Sequence, residues 1–180
     1  MARPNQRAIM ESKAALESGD ANRALEIRKL VYGEEAGAGD VSSMRVLELI
    51  LTRTPALFAN YPPTVLQPIR IAAALMELWG TNTIPDLVKN EDMSDQRFSP
   101  QAIGHMLHSH ACFLKKLEEF HAVGIKRVEF IGSNDPTDCQ ACQEADGESF
   151  TTEGVPELPL VNCQCKSPYG CRLKVIAYAK

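Results

Sequence analysis

Residues 134–171 read NDPTDCQACQEADGESFTTEGVPELPLVNCQCKSPYGC and carry five of the six cysteines in a chain of 180 residues. Cys139 and Cys142 are separated by two residues, and Cys163, Cys165 and Cys171 follow after a Pro-rich return. Two cysteines so spaced can aim both sulfurs at one tetrahedral ion from a tight turn, and an antiparallel return supplies two more ligands. Residues 132–162 contain few apolar side chains, too few to bury the surface that a small unit needs to fold alone. Metal ligation is therefore the expected source of stability here, on the order of 10 kcal/mol for a closed structural site. The expected centre is one structural Zn2+ per chain, held by four of the five thiols Cys139, Cys142, Cys163, Cys165 and Cys171.

Disulfides and a redox-active Cys139/Cys142 pair are the competing uses of these thiols. A redox pair belongs at the start of a helix next to a strand, whereas Asp146-Gly147 predicts that the chain turns at once. The N-terminal stretch MARPNQRAIMESKAALESGD mixes charge into every turn, and no later run is long and apolar enough to cross a bilayer. A reducing, cytoplasmic setting is thus expected, and there clustered cysteines serve as metal ligands. The balance of 19 Lys+Arg against 23 Asp+Glu draws neither nucleic acid nor an anionic membrane.

Working outward, an α+β fold is predicted: a helical domain over 1–98, a connecting helix over 99–124 and a β-rich, zinc-ribbon-like module over 125–180. Gly19 stops a first helix, Asp20 caps a second that runs to about Gly33, and Asp40 is the N-cap expected for a third. Pro55 and the YPP run break the chain, and Pro68 suits the first turn of a helix ended by Gly80. An irregular bundle is expected here rather than a repeat array. The polar run VKNEDMSDQR reads as a linker. Ser99-Pro100 opens the long helix, on which Ile103, Leu107, His110, Leu114, Leu117 and His121 recur near every 3.5 residues until Gly124. Strands are expected at IKRVEFIG, at GESF and at RLKVIAYA.

His108 and Cys112 have the i,i+4 spacing that can grip a metal, but two ligands on one helix are not a site, and polar cover is the expected role. None of the four histidines is followed by Glu at the His-x-Glu spacing of the zinc nucleobase deaminases. No phosphate loop, nucleophile-base motif or paired-carboxylate signature occurs.

The residues HAVGIKRVEFIGSNDPTDCQACQEADGESF, followed by VPELPLVNCQC, resemble the C-terminal part of the MuF-type head morphogenesis, or minor head, proteins of tailed bacteriophages. The resemblance covers about residues 121–165: a helix ending in Gly, a strand, an Asp-containing turn, Cys-x-x-Cys, Asp-Gly with an aromatic soon after, and a Pro-rich return to paired cysteines. It departs where the family's His-Pro-x-Cys-Arg-Cys has Leu160 for His, Val161 for Pro and Gln164 for Arg. Cys171 has no counterpart in that pattern, and its thiolate is the expected compensation for the imidazole lost at Leu160. The resemblance implies a non-enzymatic, zinc-stabilised structural or assembly protein, acting through a protein partner or a homo-oligomer in a bacterial cytoplasm or virion. A prophage or bacterial zinc-containing adaptor or regulator is the alternative, and an enzyme with its site in the helical part is a second.

Overall fold

In a computed structural model, which describes residues 6–33, 37–80, 97–133 and 135–178, helices and a small antiparallel sheet form an α+β fold. The helices are α1 (Gln6–Glu17), α2 (Ala21–Tyr32), α3 (Gly37–Thr52), α4 (Pro63–Trp79), α5 (Pro100–Ala122) and a short α6 (Gln140–Ala145). The strands are β1 (Arg127–Ile131), β2 (Ser149–Thr151) and β3 (Lys174–Ala177), in the order β2-β1-β3. No described helix is long and apolar enough to cross a membrane.

Helix boundaries follow the punctuation in the sequence at most positions. The Asp20 carboxylate accepts from the Arg23 N–H at 2.8 Å, satisfying one of the orphan donors of α2. Ser99 does the same for Ala102 at the start of α5, with Pro100 at the first helical position. Gly80 closes α4 in the left-handed region at φ +61°, where a side chain would add strain.

Two boundaries differ from expectation. α3 begins at Gly37, so Asp40 lies within the helix and is not its cap. α4 begins at Pro63, so Pro68 lies inside the helix and not at its start. Pro68 forfeits one backbone hydrogen bond there. Against that loss stand Leu66, Ile69, Ile71, Ala72, Leu75 and Leu78, all buried on the same helix, and burial at about 25 cal/mol per Å2 outweighs a single bond. Of the expected linker, residues 88–96 lie outside the described residues.

Buried Arg70 on α4 holds the end of α3 in place. Its guanidinium donates to the carbonyls of Ile50 and Arg53 and to the Thr54 hydroxyl, so carbonyls left over at a helix C-terminus receive donors. Arg70→Met is expected to cost about 3 kcal/mol, the penalty for stranding buried acceptors. Chemical denaturation of the metal-loaded protein measures it, and metal content is expected to stay unchanged.

α5 is a shared spine. It packs against α3 and α4 on one side and meets β3 on the other. Ala102, Ile103, Met106, Leu107, His110, Ala111 and Phe113 are buried along it, a wider stripe than a helix with one neighbour needs. In the sheet, Val128 and Phe130 of β1 and Val175 of β3 turn inward, with Phe130 opposite Val175 in the ladder. β1 is central, pairing Val128 with Phe150 on one side and with Ala177 on the other. One continuous core thus runs from the helices through α5 into the sheet.

Candidate metal centre

The strand, the turn and the short helix that follow one another from Arg127 to Ala145 bring the first cysteine pair into position. Cys139 is the N-cap residue of α6, and Cys142 lies in its first turn. This corrects the expectation that the chain would turn at once after the pair. Backbone N–H groups at the start of α6 turn back on Cys139, whose carbonyl accepts from Cys142 and Gln143 at 3.0 Å each. The second pair comes from the irregular segment after Leu160, whose carbonyl accepts from the Cys163 N–H at 2.9 Å.

The sulfurs of Cys139, Cys142, Cys163 and Cys165 all lie within 4.8 Å of one another and can hold a metal ion. Cys139 and Cys165 stand 3.8 Å apart, Cys142 and Cys165 3.6 Å, and Cys142 and Cys163 3.8 Å. Four sulfurs bound tetrahedrally at about 2.3 Å stand about 3.8 Å from one another, so this spacing fits a four-thiolate metal. It does not fit disulfides, which need about 2.05 Å, and all six cysteines are free. With α6 starting at the first pair, geometry alone no longer argues against a redox dithiol. What argues against it is that Cys142 is as close to sulfurs of the second segment as a tetrahedral ligand set requires.

Cys171 adjoins the four from the Cys142 side, at 3.6 Å. Cys163, Cys165 and Cys171 surround the Cys142 sulfur, and their hydrogen bonds push that thiol up. Cys171 is held down, because of its hydrogen bonds with Cys142 and Cys163. So many sulfurs cannot all carry charge at this spacing unless a cation neutralises them.

Backbone donors cross between the two halves. The Gln164 N–H donates to Cys139 Sγ at 3.1 Å, and the Cys139 N–H donates to Cys165 Sγ at 3.4 Å. Each half therefore holds a sulfur of the other, the support that orients metal ligands from outside the coordination shell. The Lys166 N–H adds a bond to the Thr137 carbonyl at 3.0 Å.

A polar clamp that the sequence reading did not find fixes the loop before Cys139. Asp138 accepts from the Ser133 hydroxyl at 2.7 Å, from the Asp135 N–H at 3.1 Å and from the Arg172 guanidinium at 2.9 Å. Arg172 also reaches Asp135 at 3.1 Å. Burial works against the charged Asp138 carboxylate, but Ser133, Asp135 and Arg172 together hold it below the usual range. The partners are 34 residues apart in sequence, so spacing gave no sign of the pair.

α5 receives both loops of the module. His110, buried on α5, donates its Nδ1–H to the Leu158 carbonyl at 2.7 Å, just before the cysteine return. The His105 ring meets Tyr169 edge-on at 4.9 Å. Gly170 sits at φ +66° over Met106, where a Cβ would come within 2.6 Å of the Met106 side chain. Gly170→Ala combines backbone strain with that overlap and is expected to lower stability by about 2 kcal/mol. Thermal unfolding reads this change, and the metal stoichiometry is expected to remain that of the unaltered protein.

Comparison of the chain with protein-family models, with curated proteins and with solved structures finds no match. The site is therefore described by its own chemistry: a cluster of thiols, closed by two chain segments and seated on a long buried helix.

Proposed function

We propose that the cluster binds one Zn2+ through Cys139, Cys142, Cys163 and Cys165, and that the ion serves as a structural cross-link in a non-enzymatic assembly protein. Zinc suits four thiolates in tetrahedral array, and cysteine-only sites are its usual structural form. The observation that carries this reading is closure: four sulfurs within 4.8 Å fill a tetrahedral shell and leave no position for water or substrate.

Association is supported by where apolar surface is left. Among the described residues, Val123, Val161, Tyr169, Ile131 and Ile176 are exposed large hydrophobics lying in or beside the module, against only Met10 and Leu30 in the helices before it. Ile131 and Ile176 share the outward face of the sheet, since Glu129 pairs with Ile176 and Ile131 with Lys174. The order of elements through the cysteine region accords with the resemblance to MuF-type minor head proteins, and a head-assembly role in a bacterial cytoplasm or virion is the reading favoured here.

The test is a pull-down from a bacterial host with wild-type and Cys139→Ser baits, run beside a hydrolase and redox activity screen. Recovery of a partner, or of the chain itself as an oligomer, only with the metal-loaded bait is expected. Zinc-dependent turnover with no partner lost in the Cys139→Ser bait would contradict the reading.

A further inference from the structure

His108 and Cys112 meet a third group in the structure. One turn apart on α5, they share a face and line a cavity of about 780 Å3 between that helix and the loops around Gly132 and Cys171. From α4, Glu77 reaches the His108 ring and accepts the Nε2–H at 2.7 Å. The Cys112 sulfur lies 3.9 Å from both ring nitrogens. Glu77 takes the Nε2 proton, and the sulfur, at equal distance from the two nitrogens, lies beside the ring.

We propose that Cys112, His108 and Glu77 form a nucleophilic thiol site, separate from the metal centre, which captures a carbon electrophile bearing a negative charge. Cys112 is the nucleophile, His108 the charged partner beside it, and Glu77 a positioning residue that fixes the ring and balances its charge. The same arrangement of nucleophile, base and orienting carboxylate recurs wherever a protein activates a weak nucleophile.

The surroundings support both parts of the proposal. Burial opposes a charged ring at His108, but Cys112 and Glu77 more than offset it and push His108 up to about 10. A positive charge on this ring interacts with the sulfur 3.9 Å away. His105 lines the same cavity, and its Nε2 is buried with no hydrogen-bond partner among the described residues. Lys116, Arg172 and Lys174 line the cavity too, and Lys174 has no carboxylate partner among the described residues. Apolar Phe113, Leu173 and Val175 form much of the remaining wall. The titratable and charged groups around the pair are therefore His105 on its own helix, Glu77 on α4 with Arg28 of α2 beside it, and, elsewhere on the cavity wall, these three cations.

With iodoacetate as the probe, the Cys112 sulfur, its proton already held by His108, attacks the carbon, the sulfur–carbon bond forms, and iodide leaves with the carbon–iodine electron pair. Metal-loaded full-length protein is alkylated at pH 6 and at pH 9.5, and each cysteine is followed by peptide mass spectrometry against a free cysteine peptide. A free thiol is under about 1% ionised at pH 6. Cys112 is expected to react at least about tenfold faster than the peptide at pH 6, the advantage that the proposed pairing with His108 gives the sulfur.

His108→Gln is expected to erase that advantage at pH 6 and to leave the rate at pH 9.5 within about twofold, where hydroxide alone ionises the thiol. Glu77→Gln is expected to fall between the two at pH 6. Lys174→Gln should slow iodoacetate and leave neutral iodoacetamide unchanged. A wild-type Cys112 no faster than the peptide at pH 6 overturns the proposal whether or not the variants fold. So does a His108→Gln profile identical to wild type. Equal effects of Lys174→Gln on the two reagents would remove the anionic preference.

Discussion

Cys142→Ser is expected to lose the metal altogether and to unfold the module, the largest effect any single substitution in this chain should have. Its sulfur stands 3.6 Å from Cys165 and 3.8 Å from Cys163, and it is the buried member of the first pair. The other thiol at the start of α6, Cys139, is already in the four-sulfur set. A serine oxygen is a poor substitute, since soft thiolates are what this donor set offers a borderline-soft ion. Binding free energy of a structural zinc, about 10 kcal/mol or more, exceeds the stability of most small domains, so its loss cannot be absorbed. Circular dichroism with metal analysis checks the outcome, and a variant that keeps a full equivalent of metal would show that Cys142 is not a ligand.

Phe130→Ala should be the most damaging change that leaves all the cysteines intact. Phe130 is fully buried on the central strand, its ring 4.9 Å from that of Phe150, and its backbone ties β1 to the Gly147 and Glu148 turn. Phe→Ala in a packed interior costs about 3–5 kcal/mol through lost transfer energy and the cavity left behind. The backbone bonds survive, so the turn after α6 should keep its geometry and metal should still bind. Urea denaturation in the presence of metal is the measurement. A loss below about 1 kcal/mol would mean that the sheet contributes little and the ion nearly everything.

Much of the fold was legible because local rules governed it. Asp20, Ser99, Gly80 and Gly124 are boundaries set by capping geometry within a few residues. Pro68 and Asp40 misled for the opposite reason. Both are permitted at a helix start, but burial of the α4 face carried that helix upstream of Pro68, and α3 starts at Gly37. The short helix α6 was missed because Asp146-Gly147 signals a turn without saying what precedes it. Six residues are enough for one helical segment between Cys139 and that turn.

That the clustered cysteines come together was readable from spacing, whereas the choice among Cys163, Cys165 and Cys171 was not. It depends on which sulfurs the loop after Leu160 turns inward, and on backbone donors from Gln164 and Cys139 that no motif encodes. Glu77 and His108 are 31 residues apart, and Asp138 and Arg172 are 34 apart. Pairs of that kind arise from helix packing and loop closure, so periodicity along one element does not reveal them.

The central claim is that one metal ion is held by Cys139, Cys142, Cys163 and Cys165 with Cys171 beside it. Metal analysis of the purified wild type and of Cys163→Ser, Cys165→Ser and Cys171→Ser, together with visible spectra after cobalt substitution, tests it most directly. One equivalent in wild type and in Cys171→Ser, each with the spectrum of a tetrahedral four-thiolate cobalt site, and loss of metal from the other two variants is the predicted result. Two equivalents per chain, iron absorption in the purified protein, or equal loss of metal from all three variants would contradict it.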